Sequence, residues 1–319
     1  MSLAVGLKDV QEARARIAKV VFMTPLLHRP LLGDSLHLPL YFKCENFQQT
    51  GAFKIRGSYN KMLQLTEEEC ARGVVTASSG NSGCATAYAG KMLGINTVVV
   101  TSSNPAPSKV AACKSYGAEI HFVGNSSSDR IQRAMEIAQE RNMVMVHAYD
   151  DAAVIAGQGT IGLEIMEQLP EVEQVVVQIG GGGLCAGVAT ALRGSGYRGR
   201  IVGVEPEVCP RMAYAFAQGK PDPLPTWQAS VGDGISSNKA GNLTYPLIKE
   251  YIDELVTVSE EEILQATVLL IEQGKLFVEP SGAATYAAAL AGKLQPDLVT
   301  VCLISGGNTD LASLARLLS

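Results

Sequence analysis

The sequence predicts an α/β fold with two open, mainly parallel sheets and helices on both faces. Short β-branched runs that are apolar throughout read as strands covered on both sides. Helical patterns separate them, so successive strands run parallel through right-handed crossovers. Glycine-rich segments follow several runs, at the strand ends where open α/β sheets bind ligands.

In chain order the strand candidates are "LYFKC" (40–44), "GVVTA" (73–77), "NTVVVT" (96–101), "EIHFVG" (119–124), "MVMVH" (143–147), "QVVVQI" (174–179), "RIVGVE" (200–205), "ELVTV" (254–258) and "LVTVCLIS" (298–305). A helix is expected over 128–141, where Ile131, Ala134, Met135 and Ala138 recur at i, i+3, i+4 and i+7. Another begins at Ser259, which forms a capping box with Glu262 three residues on.

A chain of 319 residues, 47% hydrophobic, can bury two interleaved cores. A net charge of -5 with scattered basic residues gives no footprint for nucleic acid. Seven cysteines, an odd number without a C-x-x-C pair, argue against a disulfide framework and for a reducing compartment. Neither a signal h-region nor a membrane-length apolar run is present, so a cytoplasmic protein is expected.

Three loops carry the functional signal. In "QVVVQIGGGGLCAG" a strand runs into Gly180, Gly181, Gly182 and Gly183 and then a helix of small residues. Consecutive glycines let backbone N–H groups close on an anion at the positive end of the helix dipole, which makes a phosphate cradle. Gly181, Gly183 and Ala186 also fit G-x-G-x-x-A, and Glu205 ends the next strand, so an NAD-dependent oxidoreductase is a rival reading. In "TASSGNSGCATAYAG", Ser78, Ser79, Gly80, Asn81, Ser82 and Gly83 offer hydroxyls, an amide and helix N-terminal donors that suit a small carboxylate. In "LISGGNTDL", glycines leave room for a flat ligand, and the Ser305 hydroxyl can partner a ring nitrogen. With Lys54 of "TGAFKIRG" placed after a strand, these features converge on pyridoxal phosphate held covalently by a lysine, with Phe53 walling its ring.

"GAFKIRG", "SSGNSG", "VIAGQGTIGLEI", "GGGGL", "VEP", "EPSGA" and "SGGNTD", in this order, resemble the fold type II pyridoxal-phosphate enzymes, in particular the serine/threonine dehydratase and serine racemase family. The resemblance extends from about residue 20 to 310. It implies the tryptophan synthase β-like fold, with residues 1–62 and 151–319 as a large cofactor-binding domain and 63–150 as a small domain closing over the substrate. It also implies a homodimer. Lys54 then matches the Schiff-base lysine, Phe53 the residue beside the ring, and Asn81 the partner of the pyridoxal 3'-oxygen. Gly180 to Gly183 with Leu184 match the phosphate loop, Ser305 the partner of the pyridine nitrogen, and Ser78 to Gly83 the substrate-carboxylate loop. Glu279 is placed near the ring.

The implied activity is dehydration of a β-hydroxy amino acid such as L-serine or L-threonine to a 2-oxo acid and ammonia, with Lys54 taking the Cα proton. Ser79 stands where racemases of this family carry the serine that serves the opposite face of Cα. A serine-type racemase using Lys54 and Ser79 as two bases is therefore the alternative on the same scaffold. Ser82 replaces the histidine usual in "SGNH". In cation-binding members the glutamate of "VEP" works with an acidic residue six positions on. Here Arg211 follows Glu205 at that spacing and would oppose a cation, so no metal is assigned. With "SGGNTD" so near the last residue given, feedback through a C-terminal regulatory domain is not expected.

Overall fold

The runs that read as doubly covered strands form two sheets in the computed structural model, which describes residues 3–78, 80–124 and 127–318. Ten strands follow in chain order: β1 Leu26–His28, β2 Leu40–Cys44, β3 Val74–Ala77, β4 Thr97–Ser102, β5 Glu119–Val123, β6 Val144–Met145, β7 Gln174–Gln178, β8 Arg200–Pro206, β9 Glu254–Val258 and β10 Thr300–Ile304. Six make one sheet in the order β1-β2-β10-β7-β8-β9, and four make the other in the order β5-β4-β3-β6. Every pairing is parallel except β1 with β2, where Leu26 faces Lys43. β7 and β10 are buried along their whole length, which explains why they carry no polar alternation.

Each of the nine runs contains a strand, trimmed by a few residues at most. The run at 143–147 keeps the shortest strand, Val144 and Met145, although the Val146 amide still bonds the Val75 carbonyl at 2.9 Å. β1 has no counterpart among the expected strands. It is three residues between prolines, without periodicity of its own, and it exists because β2 offers it an edge.

The helix expected over 128–141 spans Ser127–Glu140. Ser259 caps the helix Glu260–Glu272, its hydroxyl accepting from the Glu262 amide at 3.1 Å while the Glu262 carboxylate accepts from the Ser259 amide at 2.8 Å. The small residues of "VIAGQGTIG" have a packing reason. A Cβ on Gly187 would lie 2.3 Å from the Ile155 carbonyl oxygen, and one on Gly159 would lie 2.8 Å from that of Gly187. The helices Ala152–Gln168 and Gly183–Gly194 can therefore touch backbone to backbone, which fixes the start of the second helix beneath the glycine loop.

A second device fixes the helix Lys54–Met62. Arg56, fully buried, donates to Glu45 through Nε at 2.8 Å and to Glu164 through Nη1 at 2.6 Å, while Lys43 donates to Glu164 at 2.6 Å. Two cations and two anions balance, and Thr24 and Thr160 fill further hydrogen-bonding positions. Inside a low-dielectric core such a cluster persists only when its members satisfy one another. The charge of Arg56 and its hydrogen bonds hold Glu45 below the ordinary carboxylate range against the opposing effect of burial.

Candidate active site

Loops leaving the C-terminal ends of β2, β3, β7 and β10 converge on one cavity of about 470 Å³. Four of these deliver the residues singled out by the sequence. After β2, Phe53 and Lys54 enter it as the helix Lys54–Met62 begins. After β3 come Ser78, Gly80, Asn81 and Ser82, after β7 Gly180 to Leu184, and after β10 Ser305. Glu279, the N-cap of the helix Pro280–Leu290, also lines it. Gly83 does not. It lies inside the helix Asn81–Leu93, where a Cβ would meet Val99 at 2.9 Å, so its role is close packing on β4. Ser79 lies outside the described residues.

The Lys54 amine donates to the Ala148 carbonyl at 3.0 Å and stands 4.8 Å from the centre of the Phe53 ring. Desolvation brings its pKa down to about 8, against the opposing pull of Glu279. A neutral, nucleophilic amine is thus available well below the pH an exposed lysine needs.

Across the cavity, the glycine loop ends in the open first turn of the helix Gly183–Gly194, whose leading amides have no intrahelical partner. Gly182 has φ +101°, and Thr244 donates its hydroxyl to the Gly181 carbonyl at 2.6 Å. A Cβ on Gly181 would lie 2.4 Å from the Tyr149 ring, so side chains are excluded on both sides of the cradle. Bare amides at a helix N-terminus fit a phosphate.

Asn81 donates to Glu279, and Asn308 donates to the Asn81 carbonyl oxygen at 2.9 Å. The other Glu279 oxygen has no hydrogen bond and stands 3.6 Å from the Lys109 amine. Burial pushes the Glu279 carboxyl up to about 7, with Lys109 pulling the other way. Lys109 also donates to Asp233 at 2.9 Å.

Lys109 and Asp233 line the cavity yet escaped the sequence reading, which followed the glycine loops and the family motifs and met neither residue there. A signal was present: Lys109 precedes the buried Cys113 by one helical turn, on the same face. The Ala148 carbonyl carries no sequence signal, because any residue type supplies it.

The dinucleotide reading is overturned at Glu205. Its carboxylate is fully buried and caps the helix Arg211–Gln218, accepting from the Met212 amide at 2.8 Å and the Ala213 amide at 2.9 Å. It is not free to bind a ribose.

The family model described as "Pyridoxal-phosphate dependent enzyme" matches residues 17–306. An L-threonine ammonia-lyase of Geobacter sulfurreducens is 43% identical over 308 residues, covering 96% of this chain and 76% of that protein. The catabolic L-threonine dehydratase TdcB of Escherichia coli K12 is 39% identical, covering 99% of this chain and 96% of its own. Among solved structures, maize serine racemase superposes with a TM-score of 0.93 at 36% identity, covering 98% of this chain and 96% of the racemase.

Proposed function

Because this chain belongs to the pyridoxal-phosphate dependent enzyme family, we propose that it is an ammonia-lyase converting L-threonine or L-serine to a 2-oxo acid and ammonia. The observation that carries this reading is the desolvated Lys54 amine sharing one cavity with the open amides of the glycine loop. Pyridoxal phosphate, when bound, supplies an electron sink for the bonds around the substrate Cα.

The chain's own residues do the rest. The amides of Gly180 to Gly183 and Leu184 would hold the phosphate, Phe53 would pack beside the ring, Asn81 would serve the 3'-oxygen, and Glu279 would lie near the ring. Lys54 would anchor the cofactor covalently until the substrate amine displaces it, and its freed neutral amine would then take the Cα proton, for which a pKa near 8 is suited. The Ser305 hydroxyl lines the cavity and would be a neutral partner for the pyridine nitrogen, so the bound cofactor would be a weaker electron sink than one beside a carboxylate, which would favour prompt loss of the β-hydroxyl. Ser78, Gly80, Asn81 and Ser82, with Ser79 of the same loop, would receive the substrate carboxylate through hydroxyls and helix N-terminal amides, while Gly83 packs behind them.

In this reading residues 1–62 and 151–319 form the cofactor-binding domain and residues 63–150 close over the substrate. We further take the partner to be a second copy of the chain. Phe22, Met23 and Phe47, each about half exposed, lie beside one another along an apolar groove that a monomer would leave wet. No described helix is long and apolar enough to cross a membrane, and all seven cysteines are free thiols, which supports a cytoplasmic setting.

The likeness to a serine racemase supports a second reading on the same site, with Ser79 as the base on the opposite face of Cα. The test is one panel. Purified protein should be yellow, borohydride should fix the cofactor on Lys54, and L-serine, L-threonine, hydroxyaspartate and phenylserine should be assayed for ammonia release with chiral analysis of recovered substrate. Colourless protein with no borohydride adduct would refute the cofactor assignment, and racemisation without ammonia release would favour the second reading.

A further inference from the structure

Arg211 is fully buried, and its guanidinium sits where four oxygen-bearing groups converge. Nη1 donates to the Ile179 carbonyl at 3.0 Å and also to that of Ile235, while Nε donates to the Cys209 carbonyl at 2.7 Å. The Glu205 carboxylate stands 3.5 Å from Nε. Burial pushes the Glu205 carboxyl up, and the positive charge of Arg211 opposes that effect. Ile179 immediately precedes the glycine loop, and Ile235 belongs to the short turn Asp233–Ile235, which lines the same cavity. That turn also carries the partner of Lys109 and bonds Ser281 through the Gly234 amide at 2.8 Å.

Three carbonyls and a carboxylate are the kind of oxygen set a hard divalent cation takes. Here an arginine fills their centre, and the only carboxylate in the set already caps a helix. Among the described residues no group of three or more His, Cys, Asp or Glu side chains is arranged to hold a metal ion. The residues at this position do not fit a divalent cation.

We propose that Arg211 is a built-in cation, a positioning residue that ties the strand end before Gly180 to the Asp233–Ile235 turn and makes the cofactor cleft independent of any divalent metal. A guanidinium suits the task because it presents five donors in a fixed plane and stays charged when buried. It reaches two cavity walls through neighbouring backbone carbonyls and does not itself line the cavity. A metal lost to a chelator could loosen such a cleft. A covalently attached arginine cannot be lost.

The test uses the whole protein with its cofactor. Thermal unfolding of wild type after EDTA treatment should shift by less than about 1 °C when millimolar Mg²⁺ or Ca²⁺ is added, since an ion that does not bind the native state cannot stabilise it. Metal analysis should find no stoichiometric divalent ion. Arg211→Asp places a second carboxylate among the same oxygens. In EDTA it should weaken cofactor retention, followed by the pyridoxal absorbance, by about ten- to a hundredfold, the scale for lost support of a site's ligands. Mg²⁺ or Ca²⁺ should restore most of that loss and raise the unfolding temperature. Arg211→Lys keeps the charge with fewer donors and should fall between them in EDTA, with no response to the ions.

Stabilisation of wild type by several degrees on adding an ion would overturn the proposal. So would an Arg211→Asp protein that is unimpaired in EDTA, or equally impaired with and without ions. If that variant is recovered unfolded, its refolding yield with and without ions supplies the same two outcomes. The inference rests on the cofactor reading for one measurement. Wild type without pyridoxal absorbance would sink that reading and leave the unfolding comparison to decide the role of Arg211.

Discussion

Gly182→Ala tests the phosphate cradle with a built-in control. At φ +101° an L-side chain is strained, a cost of about 1–2 kcal/mol for an ordinary residue. The added Cβ would also stand 2.6 Å from the Thr244 hydroxyl oxygen and 2.9 Å from the Ile248 Cδ1 atom. Relieving such overpacking costs about 1–3 kcal/mol. Gly196 separates the two contributions. Its φ is +88°, yet nothing lies within 4 Å of its Cβ position, so Gly196→Ala carries the strain alone. Gly182→Ala should therefore lose about 2–5 kcal/mol in urea unfolding and Gly196→Ala about 1–2. To the extent that the loop moves to relieve the clash, the loss appears in cofactor affinity, where 1.4 kcal/mol is a factor of ten. The assay is equilibrium unfolding plus titration of the cofactor-free protein with pyridoxal phosphate. Equal losses in the two variants, with cofactor affinity unchanged in both, would refute the idea that this loop is a cradle closed against side chains.

Covalent attachment of added pyridoxal phosphate to Lys54 should accelerate as pH rises through about 8, because the depressed pKa exposes the neutral amine there; a midpoint near 10 in stopped-flow absorbance would contradict the desolvated setting. Arg56→Met leaves two buried carboxylates facing one lysine and should cost about 3–5 kcal/mol in chemical denaturation, a loss below about 1 kcal/mol arguing that the cluster is wetter than its geometry. The folded-state pKa of Glu45 lies below its unfolded value, so its contribution is present above the unfolded pKa and disappears as pH falls through the folded one; wild-type stability should decline in acid along that path, and Glu45→Gln should flatten the decline. Ser79→Ala should spare ammonia release from an L-substrate while abolishing any interconversion of enantiomers; equal loss of both would count against Ser79 as the second base.

The parts of the fold legible in the sequence are those whose physics is local. β7 and β10 announce themselves because strands covered on both faces cannot afford polar alternation, and the Ser259 capping box is complete within four residues. The glycine loop is equally local, since its signal is four adjacent residues without side chains after a strand. What escaped depends on distant partners. Arg56 pairs with Glu45 and Glu164, 11 and 108 residues away, and no neighbouring residue announces that these charges are internal. Lys109 meets Asp233 across 124 residues, and β1 is a strand only because β2 lies next to it.

The order of strands in the larger sheet has a consequence for biosynthesis. β2 emerges early, but its parallel neighbour is β10, so Leu40 must wait for Thr300 before its ladder closes. Ser305 lies beyond that last strand, and the Phe53 amide beside Lys54 bonds its carbonyl. Cofactor binding at Lys54 and Ser305 would then wait until that strand has left the ribosome, and until then β2 is paired with β1 alone and keeps its other edge open. Truncations that remove the last strand should yield aggregates rather than a colourless folded remnant.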